Sequence, residues 1–149
     1  MTECPHDKEI AEMMKLSGNI MIRYNSLNYG ISAYIVKCTK GAHDNKEIYT
    51  VLNKRRKNEK LPFRFTQFIK CLKEKGELSL PEDELLTFLD RMRNIRNSIG
   101  HWTLSKAKDG KWEIFDFKNG KSVDIETIFN EFISLYGKVN DILIKAMPK

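Results

Sequence analysis

Six residues late in the chain, Arg96-Asn97-Ser98-Ile99-Gly100-His101, place a permanent cation, a side-chain amide and a titratable imidazole within about one and a half turns of an expected helix. Arginine presents a planar fork of donors matched to phosphate oxygens. Histidine has the ordinary pKa nearest neutrality, so it gives or takes a proton at working pH. Together these are groups that RNA cleavage calls for. A second feature points to the same kind of ligand. Lys54, Arg55, Arg56, Lys57 and Lys60 fall within seven residues against one acid, Glu59, in a chain of net charge +6. An anionic partner is favoured, and Lys54, Arg55, Arg56 and Lys57 are the candidate RNA contacts. The competing explanation for the cluster is a solvated helix end that benefits from the macrodipole.

Several other chemistries find no support. There is no Gly-rich phosphate loop, no pair of carboxylates at an obvious catalytic spacing and no serine or cysteine nucleophile beside a histidine. Cys4-Pro5-His6 resembles half of a metal site, but no second Cys/His pair stands at zinc-ligand spacing, so neither metal nor cofactor is expected. Three widely spaced cysteines, Cys4, Cys38 and Cys71, argue against a disulfide framework and fit a reducing compartment. Apolar runs break well short of the roughly 20 residues of a membrane span. The first fifteen residues carry four acids rather than a basic, apolar leader. The expectation is a cytoplasmic protein without a membrane partner, folded as one domain over residues 1–149.

The elements that must carry the motif are mostly helical. Ile10, Met14, Ser17, Met21, Tyr24, Asn28, Ile31, Ile35 and Cys38 recur every three or four positions, so one long helix is expected from about Lys8 to Lys40, ended by Gly41. Asp44 with Glu47 opens a second helix that runs through Ile48, Val51 and Leu52 into the basic cluster. A third carries Phe65, Phe68, Ile69 and Leu72 and stops at Gly76. Pro81, followed by Glu82, Asp83 and Glu84, begins a fourth whose apolar stripe of Leu85, Phe88, Leu89, Met92, Ile95 and Ile99 leads into the motif. Alternation around Asp109-Gly110 then marks a β-hairpin, with Asn119-Gly120 as a second turn. A last amphipathic helix starts near Asp124, its apolar face suited to core or dimer seam.

On a helical wheel Arg96 lies within roughly 40° of Leu85, Leu89 and Met92, inside the apolar stripe. An unpaired buried guanidinium is expensive, so Arg96 needs a buried partner, a polar cleft or a subunit interface. The first option makes it purely structural, for example through Asp90. His101, likewise, is either a proton carrier or an ordinary residue at a helix C-terminus with Gly100 as the cap.

Arg96, Asn97 and His101, with four residues between the Arg and the His, resemble the motif of the HEPN superfamily, the higher eukaryotes and prokaryotes nucleotide-binding domains. The order of elements is similar too: a long first helix, the motif late in a penultimate helix, a small hairpin insertion and a closing amphipathic helix. The resemblance implies an all-α, up-and-down bundle of four to five helices with that β-hairpin before the last one. It also implies metal-independent RNA cleavage by a homodimer whose two motifs share one cleft, in a toxin or antiviral effector that an antitoxin protein restrains. In that scheme His101 handles protons, Arg96 clamps the phosphate, and Asn97, about 40° from His101 on an ideal helix, orients the imidazole or a phosphate oxygen. Thr103 stands where some members paired with a nucleotidyltransferase antitoxin carry a modifiable Tyr, so the likeness does not extend to that control. Two rivals stand beside this expectation: a catalytically silent module that binds RNA, nucleotide or a partner protein, and a helical adaptor in which Arg96 only supports the fold.

Overall fold

A computed structural model describes residues 7–55 and 60–147; Cys4, His6, Arg56 and Lys57 lie outside the described residues. Helical periodicity resolves into α1 (Asp7–Lys40), α2 (Asn45–Asn53), α3 (Phe63–Glu74), α4 (Glu82–Ile99) and α5 (Ile125–Ala146). Between α4 and α5 the chain forms β1 (Trp102–Lys106), β2 (Trp112–Asp116) and β3 (Lys121–Val123), an antiparallel meander in the order β1-β2-β3. The protein is thus a mainly helical bundle with a small sheet before its last helix. The sheet has one strand more than a hairpin because Asn119-Gly120 turns the chain a second time, with Gly120 at φ 67°.

Local chemistry sets the ends of the helices. Asp44 Oδ1 accepts from the N–H groups of Lys46 and Glu47 at 3.0 and 3.2 Å and so opens α2. Asp124 does the same for α5, taking the Thr127 N–H at 3.2 Å and its hydroxyl at 2.9 Å. α3 closes when Gly76 adopts φ 70°. The Gly76 N–H then reaches the Lys73 carbonyl at 3.1 Å and the Glu77 N–H the Leu72 carbonyl at 2.8 Å. α2 ends at Asn53, ahead of the basic cluster rather than inside it, as Lys54 turns to extended backbone. Its ammonium lies 4.3 Å from the centre of the Phe63 ring. Continuing the helix would instead have stacked like charges one turn apart.

Side-chain pairs fix how the helices run. Arg64 on α3 meets Asn28 and Tyr24 of α1, and Phe68 meets Tyr34 edge-on with centroids 5.7 Å apart, so α1 and α3 point the same way. α5 shares that direction, with Tyr136 against Arg23 and Leu143 against Gly30. α4 opposes them: Lys73 bonds Glu82 across the α3–α4 turn at 3.1 Å, while Arg91 grips Glu131 and Phe88 lies under Lys138. Phe65, Phe68, Leu72, Leu85, Leu89, Met92 and Phe132 are buried among these helices against Ile20, Leu27 and Ile31 of α1. A second small core joins Trp102, Ile114 and Ile125 to Met13 and Leu16, which seats the sheet against the first turns of α1. There the inward face differs from the expected one: Met14 is 66% exposed, because an apolar stripe rotates along a helix of 34 residues. Cys38 is half-buried and Cys71 buried; burial pushes the Cys71 thiol up to about 12, with Cys38 beside it, which keeps it protonated.

Two glycines of α1 have opposite surroundings. A Cβ at Gly18 has nothing within 4 Å, whereas one at Gly30 lands 2.8 Å from Leu143 Cδ2. Gly18→Ala is therefore expected to stabilise the fold by about 0.5–1 kcal/mol. Gly30→Ala should gain less or lose stability, since the crowded contact with α5 opposes the helix propensity. Urea denaturation of both variants checks this, and equal gains would mean that α1 and α5 are not in such close contact.

The Arg91–Glu131 pair adds a pH dependence. Two hydrogen bonds of 2.7 Å from Arg91 hold the Glu131 carboxyl below the ordinary glutamate range. A depressed carboxylate stabilises the fold above its unfolded pKa and loses that contribution as pH falls through the folded value. Both side chains are well exposed, at 47% and 39%, so Glu131→Gln should cost under about 1 kcal/mol at neutral pH. The gap should narrow below roughly pH 4 and close once wild-type Glu131 is protonated. A gap that stays constant in acid would show that the carboxylate is not what matters.

Candidate functional site

The cleft beside Arg96 follows from helix lengths. α3 begins at Phe63, and its entry segment is tied to α4 where Arg93 Nη2 donates to the Lys60 carbonyl at 3.3 Å. Past that level α4 continues for further residues without α3 over it. Arg96 therefore sits within the angular range of the apolar stripe but faces solvent instead of core, half-buried, one residue after the buried Ile95. Of the three options for a guanidinium in that position, the structure provides the polar cleft.

The cleft has a volume of about 800 Å³ and lies where α1, the end of α2, the start of α3 and the end of α4 meet. Among the described residues its cations are Lys54, Arg55, Lys60, Arg64, Arg93 and Arg96, and no described aspartate or glutamate lines it. Three of these cations are occupied, Arg64 by uncharged acceptors and the Phe65 ring. Arg93 binds Asp90 Oδ1 through Nε and Nη2 at 3.1 and 2.8 Å. Lys54 rests on Phe63. Arg96, in contrast, has only a long hydrogen bond of 3.4 Å from Nη1 to Asn97 Oδ1, and no carboxylate pairs with it among the described residues. Its remaining donors are open to a ligand. Asn97 lines the same cleft, so the motif's cation and amide stand with Lys54 and Arg55 of the basic cluster in one site.

His101 is positioned by different forces. α4 ends at Ile99, and Gly100 keeps a helix-like φ of −64° instead of the left-handed turn of an ordinary glycine cap. The His101 N–H reaches the Ser98 carbonyl at 2.9 Å, and the chain then enters β1. The His101 carbonyl accepts from the Phe117 N–H at 2.9 Å, and the imidazole meets the Phe117 ring edge-on at 5.6 Å. The turn after β2 holds that contact in place. Asp116 is buried, and its carboxylate takes the side-chain amide of Asn119 at 2.7 Å and the N–H groups of Lys118 and Asn119 at 3.0 Å. These bonds, the Asn119 side chain first, hold its carboxyl below the ordinary range, with the His101 charge a smaller contribution. His101 does not line the cleft that contains Arg96. The 40° wheel relation of Asn97 to His101 does not carry over, because His101 lies beyond the helix.

The site also holds residues that spacing alone did not single out. Arg64, on the first turn of α3, reaches Asn28 Oδ1 through Nε, the Tyr24 hydroxyl at 3.2 Å and the Leu52 carbonyl at 3.5 Å. Asn28 was visible as an amide inside the apolar stripe of α1, and its 5% exposure confirms that the stripe is interrupted by a buried polar group. No family model, curated protein or solved structure matches this chain, so the likeness to HEPN domains rests on the motif and the order of elements.

The unpaired state of Arg96 makes a direct prediction for stability. If Arg96 were a structural anchor, removing it would cost several kcal/mol. Placed among like charges, with no carboxylate among the described lining residues, it contributes repulsion, which added salt screens. Arg96→Ala should therefore change stability by no more than about 0.5 kcal/mol, shifting toward stabilisation at low ionic strength. Thermal unfolding at two salt concentrations checks this, and a large loss would return Arg96 to a supporting role.

Proposed function

We propose that this protein is a metal-independent endoribonuclease. One observation carries this reading: among the described residues the cleft presents Arg96 and Asn97 with five further cations, of which only Arg93 is paired with a carboxylate, that of Asp90. Such a site stabilises negative charge, and the phosphodiester backbone of RNA supplies it. RNA also supplies its own nucleophile. A base takes the proton from the 2′-hydroxyl, the 2′-oxygen bonds to phosphorus, and the bond to the 5′-oxygen breaks as that oxygen receives a proton. The products are a 2′,3′-cyclic phosphate and a 5′-hydroxyl. Arg96 meets the charge that builds on the non-bridging oxygens, Asn97 orients a phosphate oxygen, and His101 moves protons.

Because His101 lies off the lining of its own cleft, the reading includes a homodimer. Two copies joined near the ends of α4 would bring the imidazole of one toward the Arg96 of the other, with a phosphate between them offsetting the repulsion. Unrestrained cleavage of this kind suits a toxin or antiviral effector that an antitoxin protein holds in check. The same placement of His101 favours the second reading, a catalytically silent module that binds RNA in the basic cleft without cutting it.

The test is cleavage of single-stranded RNA in EDTA, with analysis of the ends. The expected products carry 2′,3′-cyclic phosphates, and Arg96→Ala and His101→Ala should each slow turnover by roughly a hundredfold or more. Sedimentation should show a species near twice the 17.4 kDa chain, and mixing the two variants should restore part of the activity. Tight RNA binding with no cleavage under any condition would select the silent module. Cleavage that requires a divalent ion, or that leaves 3′-hydroxyl ends, would reject the mechanism.

A further inference from the structure

Arg64 is oriented without being neutralised. Its three acceptors, the Asn28 amide oxygen, the Tyr24 hydroxyl and the Leu52 carbonyl, are all uncharged. Asn28 Nδ2 donates to the Tyr24 carbonyl at 2.7 Å, which turns the amide oxygen toward the guanidinium and locks it there. A carboxylate at position 28 would have formed a salt bridge in this half-buried place; the chain has an amide instead. Arg64 also sits in the first turn of α3, where the helix dipole disfavours a cation. Both features leave positive charge held at the wall of the cleft.

An aromatic side chain stands beside it. Tyr49 on α2 lines the same cleft and is 69% exposed, so its ring is open to a ligand there. It lies one turn before Leu52, whose carbonyl touches Arg64, so ring and guanidinium share one stretch of the cleft wall. Phosphate and nucleobase are adjacent in every nucleotide, and an exposed aromatic ring gains by stacking only on a base that is not already stacked within a duplex.

We propose that Arg64, held by Asn28 and Tyr24, and Tyr49 form a nucleotide subsite next to Arg96, in which Arg64 takes a backbone phosphate and Tyr49 stacks on the adjoining base of a single strand. The subsite rests on reading the cleft as an RNA site and specifies the form of RNA that it takes. Arg64 and Tyr49 supply affinity and register, while Arg96 meets the phosphate that reacts.

The experiment uses the full chain and a fluorescent 2′-O-methyl oligoribonucleotide, which lacks the attacking hydroxyl, as a single strand and as a duplex with its complement. Wild type should prefer the single strand. Tyr49→Ala, at an exposed position, should weaken single-strand binding by about tenfold and leave duplex binding unchanged. Arg64→Gln should lower the slope of log affinity against log salt by roughly 0.7, the share of one phosphate contact on a single strand. Arg64→Lys should keep that slope and lose affinity, since it keeps the charge and loses the fork. Wild-type binding by Tyr49→Ala and Arg64→Gln, or preference for the duplex, would overturn the subsite. Binding that depends on both residues while unmodified RNA stays uncut keeps the subsite and removes the nuclease. Cleavage that survives both substitutions with unchanged KM does the reverse, and a protein that binds neither strand form loses both.

Discussion

One wall serves the whole molecule. α1 packs against α2, α3, α4 and α5, and Ile20, Leu27, Ile31, Tyr34 and Ile35 are buried in turn against different partners. The other helices each lay part of their apolar face on that surface, and α4 packs more extensively on α5. The demand on α1 explains its composition: small residues such as Gly30, Ser32 and Ala33 appear where a neighbour approaches closely, and the polar Asn28 appears where the neighbour is a cleft rather than a core. The same helix is therefore core on one level and cleft wall on another. Tyr24 belongs to both, with its ring in the main core and its hydroxyl on Arg64.

The bundle was legible because it is written in local signals. Asp44, Gly76, Pro81 and Asp124 punctuate the chain through hydrogen bonds to residues within a turn, and period 3.6 identifies the buried face of each helix. What was not legible depends on contacts far apart in sequence. Arg64 meets Asn28 across 36 residues and Tyr24 across 40, and no spacing rule joins them. The wheel placed Arg96 correctly in angle; whether that angle meets core or solvent depends on where α3 begins. The inward turn of Met13 and Leu16 in place of Met14 likewise depends on a sheet formed about ninety residues later.

Arg96 and His101 are neighbours in sequence but answer to different parts of the fold. The first is carried by a rigid helix anchored in the main core through Met92 and Ile95. The second is held by a small sheet through Phe117 and the Asp116 turn. A change in the sheet moves the imidazole without moving the guanidinium, so the relative geometry of the two groups is adjustable with little cost to the bundle. In the proposed reaction, phosphate affinity and proton transfer would then vary separately, the first with the cleft and the second with the insertion.

Lys54 over Phe63 has a consequence of a different kind. Lys54 caps α2 and Phe63 begins α3, and the Lys54 ammonium lies 4.3 Å from the centre of the Phe63 ring, so a side-chain contact ties the two ends of the connection together. The closing entropy of such a connection grows only with the logarithm of its length, about 0.6 kcal/mol for each doubling. Descendants of this sequence could lengthen, shorten or recharge that connection while every helix keeps its seat. The described ends of that connection, Lys54, Arg55, Lys60 and Leu61, line the cleft, so changes there alter its charge faster than the shape of the bundle, as antibody frameworks vary through their loops.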